Sequence, residues 1–109
     1  MATLLIAEHD NTVLKGATLS ALEAALRIGG DIDVLVAGDG CAQAASAATK
    51  LAGVRTVRVA DAAQYAGDLA ENLALLTVSL ATAYTHILAP ASSFGKNVAP
   101  RVAALLDVA

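Results

Sequence analysis

The residues best equipped for chemistry stand near the end of the chain: Ser92, Ser93, Gly95, Lys96 and Asn97. They follow a short apolar run, Thr85–Ala89, which Pro90 stops, and they precede a helix-like run. Strand, small polar turn, basic side chain and helix start is the order in which α/β proteins build an anion site. Unpaired amides and the helix dipole both favour negative charge there. The same residues equally make an ordinary tight turn, with serine or asparagine capping the helix. A third role for them is contact with another domain or chain.

Other groupings are weaker. His9 follows the end of one strand and His86 begins another, so a parallel sheet holds them apart by about 15 Å, at roughly 3.3 Å per residue. Shared metal ligation is therefore not expected. Ser92 or Ser93 can be drawn with His9 and Asp10 as a hydrolytic triad, but no nucleophile-elbow sequence surrounds either serine. Glu8 and Asp10 flank His9 and read as solvated loop charges. Cys41, beside a helix start, reads as a small core residue rather than a reactive thiol. The first strand is followed by EHDNTVLKG, with no dinucleotide fingerprint. GDGCAQA, after the second strand, has its glycines misplaced for one and reads as a turn plus helix cap. Gly95-Lys96 is followed by Asn97 and lacks the upstream glycine of a phosphate-binding P-loop.

The elements that must position these residues alternate strand with helix. Apolar runs at Thr3–Ala7 and Ile32–Ala37 are expected as central strands covered on both faces. Thr56–Ala60, with Arg58 on one face, reads as an edge strand, and Thr85–Ala89 is the fourth. Helices are expected over Ala17–Ile28, with Leu19, Leu22 and Leu26 inward and Gly29-Gly30 ending it, and over Cys41–Ala52, with Asp39 as N-cap and Gly53 past its end. A third is expected over Asp68–Tyr84, where Asp68 and Glu71 have capping-box spacing and Leu69, Leu73, Leu76 and Leu80 form a stripe. Asp61–Gly67 is a connection with one helical turn, and a last helix lies between Ser93 and Asp107, started or bent by Pro100. The economical strand order is 3-2-1-4, in a three-layer α/β fold of Rossmann-like type with a parallel sheet and helices on both faces. A ligand would sit above the carboxyl ends of strands one and four, at loops Glu8–Gly16 and Ala91–Asn97.

Composition narrows the function classes. The chain has 109 residues, 57% hydrophobic and 3% aromatic, and carries a net charge of −3. Roughly a quarter is alanine, far above ordinary usage. The core must then be built from Leu, Val, Ile and Ala. An acidic chain with almost no aromatic surface is a poor nucleic-acid binder. No apolar run reaches about 18 residues, so membrane insertion is not expected. One cysteine allows no internal disulfide, which fits a reducing compartment. The first residues lack a basic leader and read as a strand, so a cytoplasmic location is expected.

At SSFGKNVAPRVAALLDV the chain resembles the electron transfer flavoprotein α subunit. The family pattern G-K-N-x-x-P-R-x-A-A-x-L, with an alanine before it, is matched by Ala91, Gly95, Lys96, Asn97, Pro100, Arg101, Ala103, Ala104 and Leu106. Further similarity runs through LLIAEHDN, TLSALEAALRIGGDIDVLVAG, KLAGVRTVRVAD and YTHILAPASSFGKN, so it covers the whole chain. The resemblance implies an N-terminal domain similar to adenine nucleotide α-hydrolase folds, packed as a heterodimer against a like-folded β subunit. It implies an electron carrier rather than an enzyme, taking electrons from acyl-CoA and related dehydrogenases to a membrane quinone oxidoreductase. FAD would be held mainly by a C-terminal domain of the α subunit, absent from these residues, and AMP by the β subunit. No flavin or AMP contact is thus implied for any residue here. Residues 1–109 would be an incomplete, truncated first domain, its apolar sheet edge left open. Lys96 and Arg101 become interface candidates, pairing with acidic groups elsewhere in the protein or on the β subunit. The alternative is a free-standing nucleotide-binding domain similar to universal stress proteins, which ATP or AMP titration would distinguish.

Overall fold

The computed structural model describes residues 2–66 and 70–106. In order, β1 (Ala2–Ile6), α1 (Gly16–Ile28), β2 (Asp31–Gly38), α2 (Ala42–Thr49), β3 (Thr56–Asp61), α3 (Ala70–Leu80), β4 (His86–Leu88) and α4 (Ser93–Leu106) follow one another. The described strands form one parallel sheet of order β3-β2-β1-β4. This is the expected three-layer Rossmann-like arrangement, with β3 at an edge and the β1/β4 switch point on the other side of centre.

Alternation along the strands divides the interior into two cores. Leu5, Ala7, Val34 and Val36 face α1 and α2, where Leu22, Ala25, Ala44 and Ala48 meet them. Leu4, Ile6 and Leu35 face α3 and α4, where Leu73, Ala74, Val98 and Val102 meet them. β1 and β2 are buried on both faces, which is why they read as continuous apolar runs. The alanines of α2 let that helix lie close against the sheet.

Several helix details differ from the pattern read along the chain. The inward row of α1 is Thr18, Leu22 and Ala25, whereas Leu19 and Leu26 are 45% and 48% exposed. Thr18 turns inward because its hydroxyl accepts from the Glu8 amide at 2.8 Å and donates to the Glu8 carbonyl at 2.9 Å. Leu26 instead lies over Gly53, where an added Cβ would come within 2.5 Å of its Cδ2. Gly53 also has φ +86°, so the backbone favours glycine there, while the Leu26 methyl could swing aside from a Cβ.

Asp39 is not the cap of α2. Cys41 holds that position without a side-chain bond, and Gly40, at φ +76°, donates its amide to Asp61 Oδ1 at 2.8 Å. α2 also stops early, because Lys50 and Leu51 bond three residues back rather than four and tighten the last turn. α3 ends at Leu80 and continues as a 3-10 turn, Ala81–Ala83, before Tyr84 becomes extended. The single helical turn expected in the preceding connection is Ala63–Tyr65. Asp68 and Leu69, the start of the expected capping box and stripe, lie outside the described residues. Pro100 sits inside α4. Having no N–H, it cannot make the helix bond to the Lys96 carbonyl four residues back.

Candidate functional site

The loop that carries most of the candidate residues is a tightly bonded corner. Ser92 donates its amide to the Pro90 carbonyl at 2.9 Å. Its own carbonyl accepts from Lys96 N–H at 2.8 Å, and its hydroxyl accepts from Gly95 N–H at 3.3 Å. Ser92 is therefore the N-cap of α4. Gly95 is buried, and a Cβ there would sit 1.8 Å from the Pro90 carbonyl oxygen. The glycine is needed because the helix start rests directly on the strand end. Ser93, Lys96 and Asn97 point to the exposed side. Arg101, one turn on, approaches Glu71 of α3 at 3.4 Å, both side chains being largely exposed. Among the described residues, Lys96 has no carboxylate within ion-pair distance.

The second loop at the switch point, between β1 and α1, is organised by His9. His9 Nδ1 accepts from the Asn11 amide at 2.9 Å, which leaves the hydrogen on Nε2 to donate to the Ala37 carbonyl at 2.8 Å. The ring thus ties the β1 loop to the end of β2. Asn11 takes the left-handed conformation, φ 72°, and its carbonyl accepts from Ala44 N–H at 3.2 Å. Gly38 makes room for the cluster, since a Cβ there would meet Asn11 Oδ1 at 2.5 Å and His9 Cε1 at 3.0 Å. The Asp10 carboxylate accepts from the Thr12 and Val13 amides, which lower its pKa, Val13 most. Glu8 is half-buried rather than a solvated loop charge.

Both ring nitrogens of His9 are committed to backbone groups and Asp10 turns back on its own loop, so neither completes a relay with Ser92 or Ser93. His86 is in register with Thr3, at the opposite end of the sheet from His9. Among the described residues no group of three or more His, Cys, Asp or Glu gathers within reach of one ion. Cys41 is fully buried, and desolvation, with Asp61 and Asp39 adding to it, raises its thiol pKa.

The densest polar cluster lies at the amino ends of the strands. Asp33 of β2 is only 2% exposed. Its carboxylate receives Arg55 Nε at 3.0 Å, Arg55 NH2 at 2.9 Å and the Tyr84 hydroxyl at 2.6 Å. Arg55 also reaches Asp31 at 2.8 Å. Arg58 donates to the Tyr84 oxygen at 2.8 Å and stacks its guanidinium 5.8 Å from the ring centre. The Arg55 bonds, then Tyr84, hold the Asp33 carboxyl below the usual carboxylate range against the opposing effect of burial. Burial, then the bond to Asp33, raises the Tyr84 phenol. One signal for this cluster was legible: a carboxylate inside the apolar run IDVLVA needs a buried partner.

Two apolar grooves flank the edge of β4 that has no neighbouring strand among the described residues. One, about 730 Å³, lies on the α4 side between Ile87, Tyr84, Ala99, Val102 and Leu106. The other, about 380 Å³, lies on the α1 side between Leu88, Ala89, Ala17, Ala21 and Ala24. Among the described residues, no charged side chain lines either. No helix among the described residues is long and apolar enough to cross a membrane.

Comparison with known proteins agrees with the motif. A family model described as the electron transfer flavoprotein domain matches residues 3–109. The electron transfer flavoprotein α subunit of Pseudomonas aeruginosa is 57% identical over 108 residues, covering 99% of this chain and 35% of its own length. That of Bradyrhizobium diazoefficiens is 65% identical over 108 residues, covering 99% and 34%. That of Paracoccus denitrificans is 49% identical, covering 99% and 35%. The chain spans about a third of the length of these curated relatives.

Proposed function

The chain belongs to the electron transfer flavoprotein family, and from that membership we propose that it is the scaffold and subunit-contacting part of the N-terminal domain of an α subunit. The observation that carries this role is the seat of Gly95 on the Pro90 carbonyl. The family motif here builds a strand-to-helix corner, with Ser92 spent on capping α4. The exposed cations beyond it, Lys96 and Arg101, contribute to the contact with the β subunit.

The whole protein is an electron carrier rather than an enzyme. It is found in the cytoplasm and passes electrons from acyl-CoA and related dehydrogenases to a membrane quinone oxidoreductase. Its redox chemistry comes from FAD. Among the described residues, no charged side chain lines either groove to meet its pyrophosphate. The flavin is held by another part of the α subunit, and AMP by the β subunit.

The test has two arms. Intact mass and visible spectrum of the 109-residue chain should show about 10.9 kDa and no flavin absorbance. In a full-length α subunit carrying this domain, Lys96→Glu and Arg101→Glu should each weaken assembly with the β subunit without altering the circular dichroism spectrum. Unchanged heterodimer affinity in both variants would remove the contact role. Stoichiometric flavin on the short chain would remove the scaffold role.

A further inference from the structure

Helix α2 begins without a side-chain cap. Its third residue, Ala44, gives its amide to the Asn11 carbonyl at 3.2 Å, which places one of the donors that every helix start leaves over. Asn11 supplies that carbonyl from the left-handed conformation, φ 72°, which costs energy in any residue but glycine. On its other side Asn11 is held by His9: its amide donates to Nδ1 at 2.9 Å. The Nε2 hydrogen goes to the Ala37 carbonyl at 2.8 Å. Three bonds thus run from the end of β2, through the His9 ring and Asn11, to the first turn of α2.

The middle bond works with only one protonation state of the ring. Nδ1 must present a lone pair to the Asn11 N–H, while Nε2 carries the hydrogen that Ala37 receives. An imidazolium carries hydrogen on both nitrogens. It keeps the Ala37 bond and turns an N–H against the Asn11 N–H. Histidine is the side chain that makes this change between about pH 5 and 8. His9 is half-buried, so solvent reaches the ring. Glu8, Asp10 and Lys15 share its loop. Asp39, Cys41 and Asp61 stand where β2 ends, α2 begins and β3 ends. Gly38 links the two groups, since a Cβ there would lie 3.0 Å from His9 Cε1 and 3.1 Å from Cys41 Cβ. From α1, Thr18 meets the loop with a hydroxyl bonded to Glu8. The carboxylates outnumber the single ammonium, so the local field does not resist a cationic ring.

We propose that His9 is an acid-operated latch on the β1–α1 loop. Neutral, it holds Asn11 against the start of α2. Protonated, it releases the Asn11 amide, and Ala44 loses its acceptor with it. The latch is closed at high pH and opens on acidification, because protonation removes the lone pair on which the tie depends. Neighbouring ties do not share this dependence: Ala7 bonds to the Leu35 carbonyl and Glu8 N–H to the Thr18 hydroxyl, through groups that do not titrate. The loop that opens lies at the carboxyl ends of β1 and β2, so the device alters a surface of the domain and leaves its core intact.

Residue-resolved NMR of the 109-residue chain between about pH 8 and pH 5 tests it. Ring nitrogen shifts read the tautomer and charge of His9. Protection factors, corrected for the intrinsic pH dependence of exchange, read the amides of Asn11, Ala44 and Ala7. Nδ1 should carry no hydrogen at the upper pH. Protection of Asn11 and Ala44 should fall about 10-fold or more, with the midpoint of the His9 ring, while Ala7 stays protected. His9→Asn places a carbonyl oxygen where Nδ1 stands, so both amides should stay protected across the range. Unchanged protection of Asn11 and Ala44 while the ring becomes charged would overturn the latch. So would a ring that stays neutral until Ala7 also loses protection, or a pH response that persists in His9→Asn.

Discussion

Tyr84 donates its phenolic hydrogen to Asp33 Oδ2 at 2.6 Å, joining residues 51 positions apart in the chain. The bond fastens the connection leading into β4 to the amino end of β2. Tyr84→Phe keeps the ring and removes the hydrogen bond, so it should cost about 1–2 kcal/mol in urea unfolding. Asp33→Asn should cost more, because it also removes the charge that Arg55 faces. The same change alters the acid response. Asp33 titrates below the ordinary carboxylate value, chiefly through Arg55. Its contribution is present above the unfolded value of about 3.9 and is lost as pH falls through the lower folded value. The acid limb of the stability curve below about pH 4 should therefore be flatter in Asp33→Asn than in the native chain.

Gly95→Ala should be strongly damaging. Its Cβ would lie 1.8 Å from backbone oxygen, which cannot swing aside as a side chain can. A loss of at least about 3 kcal/mol is expected, the upper end for overpacking. Gly16→Ala is the matched control: it is the first residue of α1 and has nothing within 4 Å of its added Cβ. It should be neutral or slightly stabilising, by up to about 1 kcal/mol. Thermal melts of the two variants decide the matter, and equal melting temperatures would contradict the geometry.

Thr3 is fully buried in β1, and its hydroxyl has no hydrogen-bond partner among the described residues. Replacing it with valine conserves shape and removes an unpaired polar group. Thr3→Val should stabilise the chain by about 1 kcal/mol, read as a higher urea midpoint at unchanged slope. A lower midpoint would mean that the hydroxyl has a partner after all.

Cys41 should not react with a thiol reagent at neutral pH until the chain opens. Its burial and raised pKa both suppress the thiolate. Labelling should accelerate in urea in parallel with unfolding. Fast labelling of the native chain would place the thiol at the surface.

Alternation of apolar runs with helical periodicity determined the fold class and strand order, because a parallel sheet buried on both faces writes continuous apolar strands. Arg58 marked β3 as an edge for the same reason. The motif through Gly95, Lys96 and Asn97 determined the family. Local spacing alone did not decide which face of α1 turns inward, since that depends on a backbone partner for Thr18 and on the space above Gly53. Nor did it join Asp33 to Arg55 and Tyr84 or give His9 its two backbone partners, because each bond spans elements that meet only after the sheet forms. The need for glycine at position 95 was likewise decided by tertiary structure: the nearness of the Pro90 carbonyl leaves no room for a Cβ.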